Sequence, residues 1–264
     1  MKRGVKVVVI VGVVGLLGVG GWLVTVFQAT SEAKAAIISD ARVEIVHDLH
    51  GLYRFSPKSL QKTVPVGLVF FPGGMADPLA YAPLARAVAA AGYPAILVPL
   101  PRRGLFGSGW VPDVLHPALG SIHEDERAAR WVVGGHSMGA AIAARLAVEV
   151  GKMGGTSLAG LILMGTVQPV NFDMASYKRP VTKIVATNDG LATMAKVGKR
   201  RNTLPASTRW VKIEGGNHSQ FGWYGSQPGD HAATRSRDEQ HQQPINAVLE
   251  SLRLAGEPRA VPTP

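Results

Sequence analysis

The sequence predicts an α/β protein, a mostly parallel sheet with helices on both faces. Three observations carry that prediction. From residue 66 onward, short apolar runs alternate with helix-forming segments, and repeated strand–helix units pack as parallel strands covered on both sides. Val66-Gly67-Leu68-Val69-Phe70-Phe71 is apolar without interruption, as a strand buried on both faces requires. Trp131-Val132-Val133 runs through Gly135-His136-Ser137-Met138-Gly139 into Ala140–Ala147, which reads as a strand turning sharply into a helix.

The N-terminus is read first. Lys2, Arg3 and Lys6 precede an apolar stretch from Val7 to Phe27. At about 1.5 Å per residue this reaches roughly 30 Å, the thickness of a bilayer core. A cleaved signal peptide has a shorter apolar region, about 7–15 residues, and no A-x-A site follows Phe27. An uncleaved signal anchor over residues 1–30 is therefore the better reading, with a cleaved signal as its rival. The basic flank predicts a single-pass protein of the cell membrane with its main domain outside the cytoplasm. Glycines 12, 15, 18, 20 and 21 do not form G-x-G-x-x-G, so a dinucleotide loop is not expected there.

Residues 31–41 read as a linker, and 42–255 as one domain. Arg42–Val46 and Leu52–Phe55 are strands paired across the His50-Gly51 turn. Val66–Phe71 follows, then a helix from Pro78 to Ala91 stopped by Gly92, then a strand at Ala95–Val98. Asp113 to Arg130 holds a helix before the strand at Trp131, and the helix after Ser137 runs to about Val150. Leu158–Met164, Val181–Ala186 and Thr208–Ile213 are strands. Ser236-Arg237-Asp238-Glu239 is a capping box that opens a final helix. The Pro-rich tail 256–264 carries no element.

There are no cysteines, which excludes disulfides and Cys-based nucleophiles or metal sites. Lys+Arg 28 against Asp+Glu 18 gives a formal net charge of +10. No basic run alternates with aromatics, so nucleic acid is not expected as a partner. Lys199-Arg200-Arg201, the densest basic cluster, suits the C-terminal end of a helix dipole.

The chemistry is expected at the carboxyl ends of the strands. A tight strand-to-helix bend lifts the Ser137 hydroxyl there and aims the helix N-terminus at a reacting carbonyl. Such a serine needs a base, and the base an orienting carboxylate. Of the eight histidines, only His218 follows directly from a late strand, in Gly215-Gly216-Asn217-His218. His136 more often shapes the bend. For the acid, Asp189 follows the strand Lys183–Ala186, with Asp173 as its rival. The oxyanion needs two donors. One is the N–H of Met138, and the other comes from Pro72-Gly73-Gly74-Met75, where Gly74 and Met75 both remain open. Positions 47 and 50 of His47-Asp48-Leu49-His50 face opposite ways on a strand, so a hairpin turn is favoured over a metal site. Arg102 and Arg103 could meet an anionic group at the rim. Phe221, Trp223 and Tyr224 could wall the site or pack the core.

With these residues in place, the chain resembles an α/β-hydrolase over roughly residues 42–255. It carries the Gly-His-Ser-Met-Gly elbow and the order Ser137, Asp189, His218. Phe71-Pro72-Gly73-Gly74 and Gly216-Asn217-His218-Ser219-Gln220-Phe221-Gly222 are similar to a bacterial subgroup loosely related to dienelactone hydrolases. Those enzymes would use Cys as nucleophile, and this chain has none. The resemblance implies the fold and the triad, without a substrate.

The reading is a membrane-anchored serine hydrolase acting on small-molecule carboxylic esters, with no cofactor. An acyltransferase on the same triad and a non-catalytic binding protein of the same fold are its rivals. Only residues 165–180 separate Met164 from Val181, too few for a large cap domain. An open site that buries little chain predicts short or medium acyl groups, since each buried CH₂ is worth about 0.8 kcal/mol.

Overall fold

The computed structural model describes residues 21–22, 25–60, 62–107, 118–120 and 122–257. Most of the expected membrane span lies outside these residues. Among the described residues, no helix is long and apolar enough to cross a membrane.

Among the described residues, eight strands form one sheet: β1 (Val43–His47), β2 (Tyr53–Pro57), β3 (Val64–Phe71), β4 (Ala95–Leu97), β5 (Ala128–His136), β6 (Leu158–Met164), β7 (Val181–Ala186) and β8 (Arg209–Ile213). Their spatial order is β1-β2-β4-β3-β5-β6-β7-β8. β2 is antiparallel to both β1 and β4, and every other pairing is parallel. All strands but β2 therefore end on the same side.

Alternation along β3 feeds two cores. Val66, Leu68 and Phe70 face α2 (Ala82–Ala90) and α5 (Arg237–Gly256), meeting Leu84, Val88, Val248 and Leu252. Val69 and Phe71 face α3 (Met138–Lys152), meeting Ile142 and Leu146. The expected capping box is formed: Ser236 Oγ accepts from Glu239 N–H, and Glu239 accepts from Ser236 N–H.

Four expectations change. The helix from Pro78 opens as a 3₁₀ turn, Pro78–Tyr81, capped by the Asp77 carboxylate, before α2 begins. The expected helix over 113–130 is helical at 118–120 and 122–124, with 108–117 outside the described residues. β5 starts at Ala128 rather than Trp131, because β3 is long enough to pair Val64 with Ala128. Asp125 ends the helical stretch by taking ion pairs from Arg54 (2.8 Å) and Arg127.

The fourth change concerns residues 31–41, expected as a linker. They carry a short helix, α1 (Ser31–Ala35), capped by Thr30, and Ala29, Ala33 and Ala36 are buried against the domain. Phe27 is buried with them and stacks on Tyr224 at 5.9 Å. Main-chain bonds tie the segment down. Asp77 N–H donates to Phe27 (2.8 Å), Gly225 N–H to Val26 (2.7 Å) and Thr30 N–H to Trp223 (2.9 Å). Small apolar residues at 29, 33 and 36 make this a buried stripe, so the segment packs as part of the domain.

Candidate active site

Ser137 sits between β5 and α3 with φ 53 and ψ −114, a left-handed conformation strained for any residue with a Cβ. The turn survives because its neighbours press in. A Cβ on Gly135 would overlap the Gly139 backbone, and one on Gly139 would overlap the carbonyls of Phe71 and Pro72. The Ser137 N–H donates to the Met164 carbonyl at 2.9 Å, which pins the bend to β6.

His218 follows β8 at the same end of the sheet. Its Nδ1 lies 2.9 Å from Asp189 Oδ2, and both side chains are buried, at 1% and 2% exposure. A carboxylate only accepts, so it keeps the proton on Nδ1 and leaves Nε2 as an acceptor. That Nε2 is buried with no hydrogen-bond partner among the described residues. Asp189 is itself oriented: its Oδ1 accepts from the N–H groups of Leu191 (2.9 Å) and Ala192 (2.6 Å). Asp173, the rival acid, is exposed, and its carboxylate is turned to the Ala175 N–H at 2.6 Å.

His136 stands behind the pair. It is fully buried, its Nδ1 is hydrogen-bonded to the Tyr81 hydroxyl at 2.7 Å, and its ring lies 4.4 Å from that of His218. Burial pushes its imidazole well below the usual range, and the adjacent His218 adds to the shift. A neutral ring here walls the site without competing for protons. Phe221 and Tyr224 are buried in the same aromatic cluster, while Trp223 packs edge-on to His241 at 5.3 Å.

Of the two amides left open for the second oxyanion donor, one is engaged. Met75 has φ 64, and its N–H donates to the Arg103 carbonyl at 2.6 Å. Gly74 remains, packed against the Met138 side chain. The Met138 N–H begins α3, where no carbonyl within the helix can reach it. Arg103 is engaged as well. Its guanidinium meets Asp77 at 3.2 Å and Gln28 at 3.4 Å, so it buttresses the loop that follows β3 rather than facing solvent as a free cation. Arg102 is exposed.

The His47-Asp48-Leu49-His50 stretch is a hairpin turn. Asp48 accepts from the N–H groups of His50 and Leu52 (both 2.9 Å) and pairs with Arg54, while the His47 ring stacks on Tyr53 at 4.2 Å. Among the described residues, no group of three or more His, Asp or Glu side chains could hold a metal.

A sheet in this order, a strained serine after β5, an acid after β7 and a histidine after β8 agree with a match in sequence. Residues 67–242 match the family described as the alpha/beta hydrolase family. The chain belongs to that family. Solved structures agree with the hydrolase fold. The chain is similar to an ester-hydrolase from the metagenome of Lake Arreo, complexed with a bipyridine phosphonate derivative (16% identity, 85% of this chain and 86% of that chain covered, TM-score 0.53). It is also similar to LAE6, an alpha/beta hydrolase enzyme from the same metagenome (15% identity, 85% and 86% covered, TM-score 0.54). A fungal esterase from Rhizomucor miehei is a third (16% identity, 85% and 90% covered, TM-score 0.50). No curated protein matches the hydrolase in sequence.

Proposed function

We propose that the chain cleaves carboxylic esters through a covalent acyl-enzyme, with Ser137 as nucleophile, His218 as acid–base and Asp189 as its orienting carboxylate. The observation that supports this most is the buried His218–Asp189 pair, 2.9 Å apart, at the strand end that carries the Ser137 bend. His218 Nε2 takes the hydroxyl proton as Ser137 Oγ attacks the acyl carbon. The N–H groups of Met138 and Gly74 hold the oxyanion, each worth about 2.7–4 kcal/mol by the usual effect of losing one. The alcohol leaves with the proton from His218. Water then attacks the acyl-enzyme, giving its proton to Nε2, and Ser137 regains a proton as the acid departs.

The structural neighbours are 15–16% identical, so their likeness supports the fold, and the chemistry rests on the residues themselves. Short or medium acyl groups are the proposed substrates. Residues 165–180, between β6 and β7, carry neither helix nor strand and supply no cap over the site. The apolar stretch before the docked Val26 and Phe27 is proposed as a single-pass anchor with the catalytic domain outside the cytoplasm.

A fluorophosphonate probe tests the assignment. It should label the wild type and not Ser137→Ala, which should also lose ester hydrolysis while keeping its fold. Labelling of that variant at another serine would defeat the reading. Turnover of p-nitrophenyl esters from acetate to palmitate tests the acyl preference, and a steep rise toward palmitate would overturn it.

A further inference from the structure

Asp230 lies in the loop before α5, outside the residues assigned above. Its carboxylate accepts five hydrogen bonds. Oδ1 takes the backbone N–H groups of Gly190 (3.0 Å), His218 (3.2 Å) and His231 (3.0 Å). Oδ2 takes the N–H (2.8 Å) and the hydroxyl (2.7 Å) of Ser219. Gly190 follows Asp189 directly. One carboxylate thus grips the loop that carries the acid and the loop that carries the base.

The close approach is written into the sequence. A Cβ on Gly190 would overlap the Gly229 carbonyl and crowd Asp230 Cα and His231 N. The flanks are tied too: Asn217 Nδ2 donates to the His231 carbonyl (2.8 Å), and Asn188 Nδ2 to that of Ala232 (3.0 Å).

We propose that Asp230 is a positioning residue for the Ser137–His218–Asp189 reaction, on which reading this inference rests. It fixes the acid and base loops in register through their main-chain N–H groups.

The test compares wild type, Asp230→Asn, Asp230→Ala and Ser219→Ala in ester hydrolysis, normalised to sites titrated with fluorophosphonate. Asp230→Ala should lower kcat about 10- to 100-fold with KM near that of wild type, as a small misplacement of a base does. Asp230→Asn keeps the side chain's size and one acceptor oxygen, and should recover part of the lost kcat. Ser219→Ala removes one of the five donors, and should lose less kcat than Asp230→Ala. A wild-type kcat per titrated site in both Asp230 variants would overturn the proposal, even with a lowered Tm. Failure of the probe to label the wild type, or labelling of Ser137→Ala, would defeat the triad reading instead, and this proposal with it.

Discussion

Ser137 holds a backbone conformation, φ 53, that costs on the order of 1–3 kcal/mol, and glycines 135 and 139 let the surrounding backbone close on it. Gly139→Ala should therefore do more than slow the reaction. Its methyl would enter the carbonyls of Phe71 and Pro72, and thermal melts should show a clear loss of stability or no folded protein. For the acid, Asp189→Asn should lower kcat by about 10⁴, because the imidazole loses its tautomer and its counter-charge. Asp173→Asn should leave steady-state rates unchanged, its carboxylate being committed to a local turn. The placing of Ser137, Asp189 and His218 at one end of the sheet was legible because a strand end, a Gly-rich turn and a fixed order each leave a mark in the sequence. Asp230 was not, since Pro228-Gly229-Asp230 reads as a turn and its partners are backbone amides of two distant loops. The engagement of Met75 was hidden too, for a main-chain hydrogen bond to Arg103 has no residue signature.

At the level of elements, strands and their order of chemistry followed from apolar runs, while boundaries shifted where tertiary pairing outweighed local pattern. β5 lengthens to match β3, and the stretch around α1 docks because alanines at 29, 33 and 36 leave no polar face to betray burial. A boundary drawn at residue 30 falls inside that packed segment. Removal of residues 1–24 should leave a folded domain. Removal through residue 36 takes away Phe27 and the Thr30 cap, and should leave little folded protein. Phe27→Ala alone should cost about 3–5 kcal/mol, as buried aromatic truncations do, measured by denaturant unfolding of the chain lacking residues 1–24.

Across the whole molecule, two buried groups tilt stability with pH in the same direction. His241 is held neutral by burial, its pKa lowered from 6.5 to about 3. The unfolded chain binds that proton first, so stability falls as pH drops from about 6.5 toward 3. Lys183, on β7, donates to the Gln168 carbonyl at 2.7 Å, and burial lowers it from 10.5 to about 7. The unfolded chain is protonated between these values while the folded one is not, so stability rises from pH 7 to 10.5, by about 5 kcal/mol at most. Urea unfolding across that window should show the rise in the wild type, and Lys183→Met should flatten it. His241→Phe should reduce the acid-side slope, and a wild-type acid slope in that variant would assign it elsewhere.

The bonds that hold Val26 to Thr30 also settle the question of reach. Their partners, Asp77 and the Trp223–Gly225 loop, lie at the strand ends that carry the Ser137 bend. On the anchored reading, Val26 to Thr30 cannot serve as a stalk, because they are bonded to the domain itself. The centre could then sweep only a thin layer above the bilayer, and encounter would become a search in two dimensions. Esters held in that layer would be met often, and those diffusing beyond it only when they arrive. A flexible Gly-Ser insert after residue 24 should leave turnover of a water-soluble ester unchanged and slow that of the same acyl group carried in vesicles.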